Sequence, residues 1–440
     1  MSLYQPLLKN TSLYQIVSEE EEEEVSTDSE FEFNYDLDEI NNKLIALFFV
    51  RFDVRVGNVV EWVLPENFGT DGLEFKALVS SFHQLDEDYV FFKFDKFYGL
   101  ASLYCETIED EEESKKERGV RMRSLGVLSL SYTNLYPHLE FLRKSSSELV
   151  YDKNEDFSSQ FSHLIEYFEE HQTKTSLEEL REIAPTIPFQ KLELHHPIAT
   201  MSAFCAYFEQ NLFLIWKASH LRLKVLFLSA PPIALLSSRI YSSCLIATFH
   251  KNDPLLKYIP KLNPLFYVNL VETEMLQSSN HFIAFSTETI FFHKPDIWDI
   301  CFQNNTPTIS QDLKKSKTLE VTEGDKKRWQ TISNILQKSK SLQNEKENEN
   351  EKEKEKETEK RKYGTFSDSQ LLNDTIIKTF RNWNDNLLKF FVRAETGEST
   401  ITISEIEELS FHKSDRIFLQ DLLNLYNIDA TIEKNSCCCC

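Results

Sequence analysis

Nine glycines in 440 residues, at 57, 69, 72, 99, 119, 126, 324, 364 and 397, set the first limit on what this chain can build. Ordinary usage is roughly 7%, so a chain of this length would carry about three times as many. No two of them lie two, four or five positions apart. G-x-G-x-x-G, G-x-S-x-G and G-x-x-x-x-G-K-[ST] are therefore absent, and with them the common phosphate cradles and the nucleophile elbow. Apolar residues make up 41% of the chain, with 34 Phe among them. Sizeable cores, two or three compact domains' worth, are expected.

The formal charge of −23 is uneven. Between Glu19 and Glu39 there are twelve acidic residues and no basic one, which excludes a nucleic-acid surface there and disfavours unaided adsorption to anionic lipid. Residues 1–40 read as a disordered acidic arm. The most apolar stretch, 203–218, is interrupted by Glu209, Gln210, Asn211 and Lys217, so no transmembrane segment is expected. The N-terminus shows no basic region followed by an apolar core, and no signal peptide is read. Cys105, Cys205, Cys244 and Cys301 are scattered and fit a reducing cytosol as small core hydrophobes. Cys437, Cys438, Cys439 and Cys440 form a tail that fails the prenylation pattern. Reversible lipidation there, with peripheral association on endomembranes, stands beside a plain tail as the alternative.

Periodicity divides the rest. A run apolar on both faces, 44–50, suits a central strand. It is followed by a turn ending at Gly57-Asn58 and a second strand at 59–64, stopped by Pro65. A short helix at 72–80, a hairpin of 89–94 and 97–104 about Asp95-Lys96, a charged insertion at 109–118, a strand near 121–130 and a helix at 134–149 complete a five-stranded, mostly antiparallel sheet with helices packed on it. This lobe, 41–150, is followed by a polar helical connector, 151–195.

Met201, Phe204, Cys205, Phe208, Leu212, Ile215 and Trp216 recur at steps of three and four, predicting one amphipathic helix. Strands at 225–228, 265–271 and 282–285, with a helix at 233–249, make an α/β module spanning 196–310. From about 310 the reading is helical: 311–342, a Glu/Lys spacer at 343–362 that is either a single helix or a flexible linker, and 363–436. The last helix is expected after Ser414 as N-cap.

No metal or cofactor is called for. No histidine pair is four apart, His195-His196 would point apart, and His293, Asp296 and Asp299 read as an exposed loop. A catalytic triad assembled from distant residues would have no positioning motif behind it, which leaves an unrecognised hydrolase as a remote reading. The exit of the strand at 225–228 is more informative, because ligand and partner sites of α/β sheets gather outside the carboxyl ends of strands. Ser229 sits there, with Arg222 and Arg239 near in sequence; a rigid strand exit that merely positions the next helix is the alternative.

Several segments, taken together and in order, resemble the DENN-domain family. They are GNVVEW (57–62), GLEFKAL (72–78), RMRSLGVLS (121–129), SYTNLY (131–136), His196-Pro197 with Met201-Ser202, Trp216-Lys217, LSAPP (228–232) and DRIFLQDLLNLYNID (415–429). The similarity runs over roughly 43–300 and 365–436. It implies a longin-like N-terminal lobe, an α/β DENN core and a helical C-terminal part. It also implies exchange of guanine nucleotide on a small GTPase of the Rab type, with a cytoplasmic adaptor that binds without accelerating release as the alternative. The resemblance transfers no catalytic residue; Arg222, Ser229 and Arg239, at the mouth between lobes, are the expected GTPase contacts.

Overall fold

The computed structural model describes residues 43–79, 85–108, 119–149, 161–183, 200–249, 261–352, 361–397 and 399–433. The acidic arm, the 109–118 insertion, His195, His196 and Cys437 to Cys440 lie outside them.

The chain opens with β1 (Leu44–Asp53) and β2 (Gly57–Leu64), then α1 (Leu73–Ala77), the hairpin β3 (Glu87–Phe94) and β4 (Phe97–Thr107), β5 (Val120–Ser129) and α2 (Leu139–Glu148). The five strands pair antiparallel throughout in the order β3-β4-β5-β1-β2, as the alternation and the hairpin predict. Leu44 to Val50 are all buried, which explains why that run is apolar on both faces. Scarce glycine is used where strands must approach a ring: a Cβ on Gly99 or Gly126 would lie 2.3 Å from the Phe92 or Phe48 ring, far inside van der Waals contact.

The connector supplies α3 (Ser162–His171) and α4 (Leu177–Ile183). Phe161 stacks on Trp62 with ring centroids 4.7 Å apart. His138, at the start of α2, bonds the Tyr167 hydroxyl of α3 through Nδ1 at 2.6 Å. Burial, aided by His171, pulls the His138 imidazole down to about 4.

Next come α5 (Met201–Phe208), α6 (Leu212–His220), β6 (Lys224–Leu228), α7 (Ile233–Ile246), β7 (Pro264–Tyr267), α8 (Thr273–Ser278), β8 (Phe282–Ser286) and the hairpin β9 (Ile300–Gln303) and β10 (Thr306–Ile309). The single helix expected over 201–216 is two. The chain turns at Glu209, whose φ is positive, and a 3-10 turn separates them. The three-and-four spacing persists across this break because α6 is buried on every side, Lys217 included, so apolar residues there carry no face information. The strand expected over 265–271 stops at Tyr267, where Asn269 caps a new turn by accepting from the Val271 N–H at 3.0 Å. The β9–β10 hairpin is an addition, unannounced because its four-residue strands are too short to show a period.

Strands β7, β8, β6 and β9 are parallel, and β10 closes antiparallel. Through the Phe92–Tyr267 pairing of β3 with β7 they join the first five strands in one ten-stranded sheet, β10-β9-β6-β8-β7-β3-β4-β5-β1-β2. An aromatic cluster straddles the join: Tyr132 stacks on Phe266 at 4.3 Å and on Tyr241 at 5.3 Å.

After α9 (Gln311–Ser316) the chain is helical, with α10 (Glu323–Lys352) and α11 (Arg361–Thr396), then α12 (Ile403–Glu408) and α13 (Arg416–Leu425). The expected cap at Ser414 is instead His412, whose ring accepts from the Ser414 N–H at 3.2 Å ahead of a short 3-10 turn leading into α13. On α11, Asn384 Oδ1 accepts from Trp216 Nε1 at 2.8 Å and lies 2.9 Å from His220 Nε2, while its amide donates to the Ile246 and Thr248 carbonyls. Burial, reinforced by Arg222, lowers His220 to about 3.

His138 and His220 fix the sign of an acid response. Both stay neutral when folded but take up protons near pH 6.5 when unfolded, so their contribution is complete above about pH 6.5 and is lost as pH falls toward 4. Unfolding free energies from urea titrations are expected to fall over that window, by up to about 1.4 kcal/mol per pH unit for each histidine. The fall should flatten in the His138→Gln, His220→Gln double variant; an equally steep fall there would assign it to other groups.

Candidate functional site

Because β7, β8, β6 and β9 point the same way, their carboxyl ends meet at one end of the sheet. Leu228 pairs with Ser286 and Gln303, and Tyr267 with Phe285. Ser229 follows directly. Its N–H donates to Ser286 O at 3.4 Å, and its hydroxyl donates to Asn304 Oδ1 at 3.2 Å. It is half-exposed, where strand-end logic places it.

The chain then crosses Pro231-Pro232 into α7, whose N-terminus is capped from the other half of the molecule. Asp88 of β3 accepts from the Ile233 N–H at 2.5 Å and from the Ala234 N–H at 3.2 Å. Burial pushes the Asp88 carboxyl up, and the N–H donors of Ile233, Tyr89 and Ala234 work against that. A carboxylate there satisfies orphan donors and faces the positive end of the helix. Asp88→Ala is expected to lower stability by about 1–2 kcal/mol, measured as a shift in urea midpoint; Asp88→Asn should lose less.

A second stitch lies at the end of β7. Lys76 of α1 is buried, donates to Tyr267 O at 2.9 Å and sits 2.5 Å from Glu272. Burial lowers its pKa and Glu272 opposes the shift. Asn269 Nδ2 donates to Phe75 O at 3.2 Å. These bonds lock the 269–275 segment against α1 while leaving apolar side chains outside: Phe75, Leu270, Val271 and Met275 are 40%, 43%, 67% and 38% exposed. Val271 and Met275, four apart on a helical path, share a face. The seam between the halves is thus preorganised and apolar, and both halves build it.

The two arginines expected at this mouth are elsewhere. Arg222 leaves α6 with a positive φ, is buried, and donates to Ser219 O. Arg239 is buried on α7, its guanidinium 3.9 Å from the centre of the Tyr207 ring. Both side chains are enclosed because Arg222 closely follows, and Arg239 lies within, a helix that is itself core, which nearness in sequence cannot reveal. Of the three expected contacts, Ser229 is the one set at the sheet end. Phe75 and Lys76 fall inside the resembling segment 72–78 without a role assigned to them there, and Asp88, Leu270, Val271 and Met275 carry no assignment as contacts from sequence. Leu270-Val271 extends an apolar run and so reads as strand.

His293, Asp296 and Asp299 do not converge. Asp296 accepts from Gln277 at 2.5 Å, Asp299 accepts from the Lys224 N–H at 2.8 Å, and no metal-type cluster forms among the described residues. Cys105, Cys205, Cys244 and Cys301 are buried, and burial raises their thiol pKa values, Cys301 to about 12. They are packing groups. No helix among the described residues is long and apolar enough to cross a membrane.

The family profile described as DENN domain-containing protein 11 matches residues 47–314. The chain is 27% identical to DENN domain-containing protein 11 of Mus musculus over 416 residues, covering 92% of this chain and 84% of that protein. It is 27% identical to the Xenopus laevis protein of the same name over 413 residues, 91% and 87%. It is 22% identical to uncharacterized protein ANR2 of Saccharomyces cerevisiae over 330 residues, 64% and 62%. The matched residues run from β1 into α9, taking in both halves of the sheet and the seam between them, and on that match the chain belongs to the DENN domain-containing protein 11 family.

Proposed function

We propose that this protein binds a small GTPase of the Rab type and promotes GDP release by holding the nucleotide-free state, acting in the cytoplasm or peripherally at endomembranes. Family membership supports the class of partner. The observation that carries the reading is the exposed apolar set Phe75, Leu270, Val271 and Met275, contributed by the two halves at the same end of the sheet as Ser229. Arg222 and Arg239 act in this reading as supports of the core beneath it, and Ser229 as a contact.

Such activity needs no bond-making. A surface that prefers the empty GTPase weakens GDP by the same factor, because linkage is reciprocal. Each tenfold weakening corresponds to about 1.4 kcal/mol of differential binding. GTP then enters because cells contain more of it.

A GDP-release screen over purified Rab GTPases tests this: acceleration of at least one member is expected. Stable binding with unchanged release would instead establish an adaptor, a reading that the rigidity of the seam serves equally well. Neither binding nor release with any member would remove both.

A further inference from the structure

The exposed seam lies in register with the start of the described chain. Leu44 pairs with Ser129, Ser129 with Tyr98, and Tyr98 with Lys93, while the adjacent Phe92 pairs with Tyr267. Four strand spacings of about 4.8 Å, roughly 19 Å in all, separate Leu44 from the end of β7. The chain preceding Lys43 therefore starts on the seam's own end of the sheet.

Two parts of that preceding chain carry apolar residues: Phe31, Phe33, Tyr35 and Leu37 are interleaved with Glu32, Asp36 and Asp38, whereas the other part is free of charge in its apolar stretches. Ser2-Leu3-Tyr4-Gln5 recurs as Ser12-Leu13-Tyr14-Gln15, followed by Leu7-Leu8 in the first case and Ile16-Val17 in the second. The second copy, 12–17, carries no charge. It can meet a seam bordered by Glu74, Glu272 and Glu274 without repulsion, whereas the stretch beginning at Glu19 cannot. Tyr14 precedes Lys43 by 29 positions, and a tether of that length has a root-mean-square span of about 30 Å, comparable to the distance required. A tether matched to its span holds its end at roughly millimolar effective concentration, so a dissociation constant near that value half-fills the seam.

We propose that segment 12–17 of the chain's own arm occupies the Phe75, Leu270, Val271 and Met275 surface when no partner is bound, making the arm a built-in competitor. The competition rests on the reading of the seam as the partner surface; the docking does not.

The test uses the full chain without any GTPase. Amide hydrogen exchange is compared between the natural protein and a variant carrying Leu3→Ser, Tyr4→Ser, Leu13→Ser and Tyr14→Ser, whose substitutions leave the sheet untouched. Exchange across 270–278 and 73–78 is expected to quicken about twofold in the variant, the factor for a half-filled seam, with β4 and β5 unchanged. A synthetic peptide of residues 10–18 in excess should slow it again. Equal rates in the two proteins would overturn the proposal. Protection that fades on dilution would assign the docked segment to a second copy and overturn it too. A failed GDP-release screen leaves this result standing, and a failed exchange comparison leaves the GTPase reading standing.

Discussion

Asp325→Ala is expected to lower the free energy of unfolding by about 3–5 kcal/mol, the cost of stranding buried charge. Asp325 opens α10 inside the protein. It accepts from Lys217 Nζ at 2.5 Å, Arg328 Nη1 at 2.9 Å and the Thr322 N–H at 2.9 Å. Arg328 reaches on to Asp415, which also accepts from Thr322 Oγ1 at 3.0 Å and the His412 N–H at 3.0 Å. Burial alone would raise the Asp415 carboxyl, but Arg328 and Lys217 outweigh it and hold it below its ordinary value. Two cations and two anions balance in nearly complete burial. Removing one anion leaves Lys217 and Arg328 competing for the other, and α10 and α13 lose their anchor on α6. Urea unfolding followed by circular dichroism reads the effect. The Lys217→Met, Asp325→Leu double variant keeps the Arg328–Asp415 pair and should recover most of the loss, since apolar replacement of a buried pair is often neutral. A loss below about 1 kcal/mol in Asp325→Ala would mean that the cations are solvated and the network is not holding the helices.

Val271→Glu is expected to act on function and hardly on folding. The side chain is two-thirds exposed, so stability should move by no more than about 0.5 kcal/mol. A charge placed in an apolar contact centre should weaken a responsive GTPase by about 2 kcal/mol or more, roughly thirtyfold. GDP release measured beside thermal unfolding separates the two effects. Unchanged release with an intact fold would remove the seam as the partner surface. Charge reversal at Arg222 or Arg239 would make a poorer test, because each is enclosed and the variant would report on the core.

Much of the local structure was legible because short-range patterns wrote it. The run apolar on both faces became β1, and Asp95-Lys96 became the β3–β4 turn, with Asp95 at positive φ. The apolar residues of 225–228 became β6 in the interior of the sheet. Failures fell where burial is complete or the element is very short. In α6 every position is enclosed, so the helical period had no polar face to contrast with and the break at Glu209 went unseen. At 269–271 an apolar run looked like strand, but the Asn269 side chain had a backbone donor two residues on to accept from, and the local cap won.

Composition and periodicity by themselves determined the fold class, the five strands of the first half and the main strands and helices of the second, because these depend on neighbours within about ten residues. Only the tertiary structure decided that β3 and β7 would merge two sheets into one, that Asp88 would cap a helix 145 residues away, and that Lys217 would meet Asp325 across 108. It also decided that the two arginines would turn inward while Val271 stayed out. The physical reason is that a buried charge or an orphan N–H takes whatever partner the packed fold brings within about 3 Å, and one chain read in isolation carries no record of which partner that is.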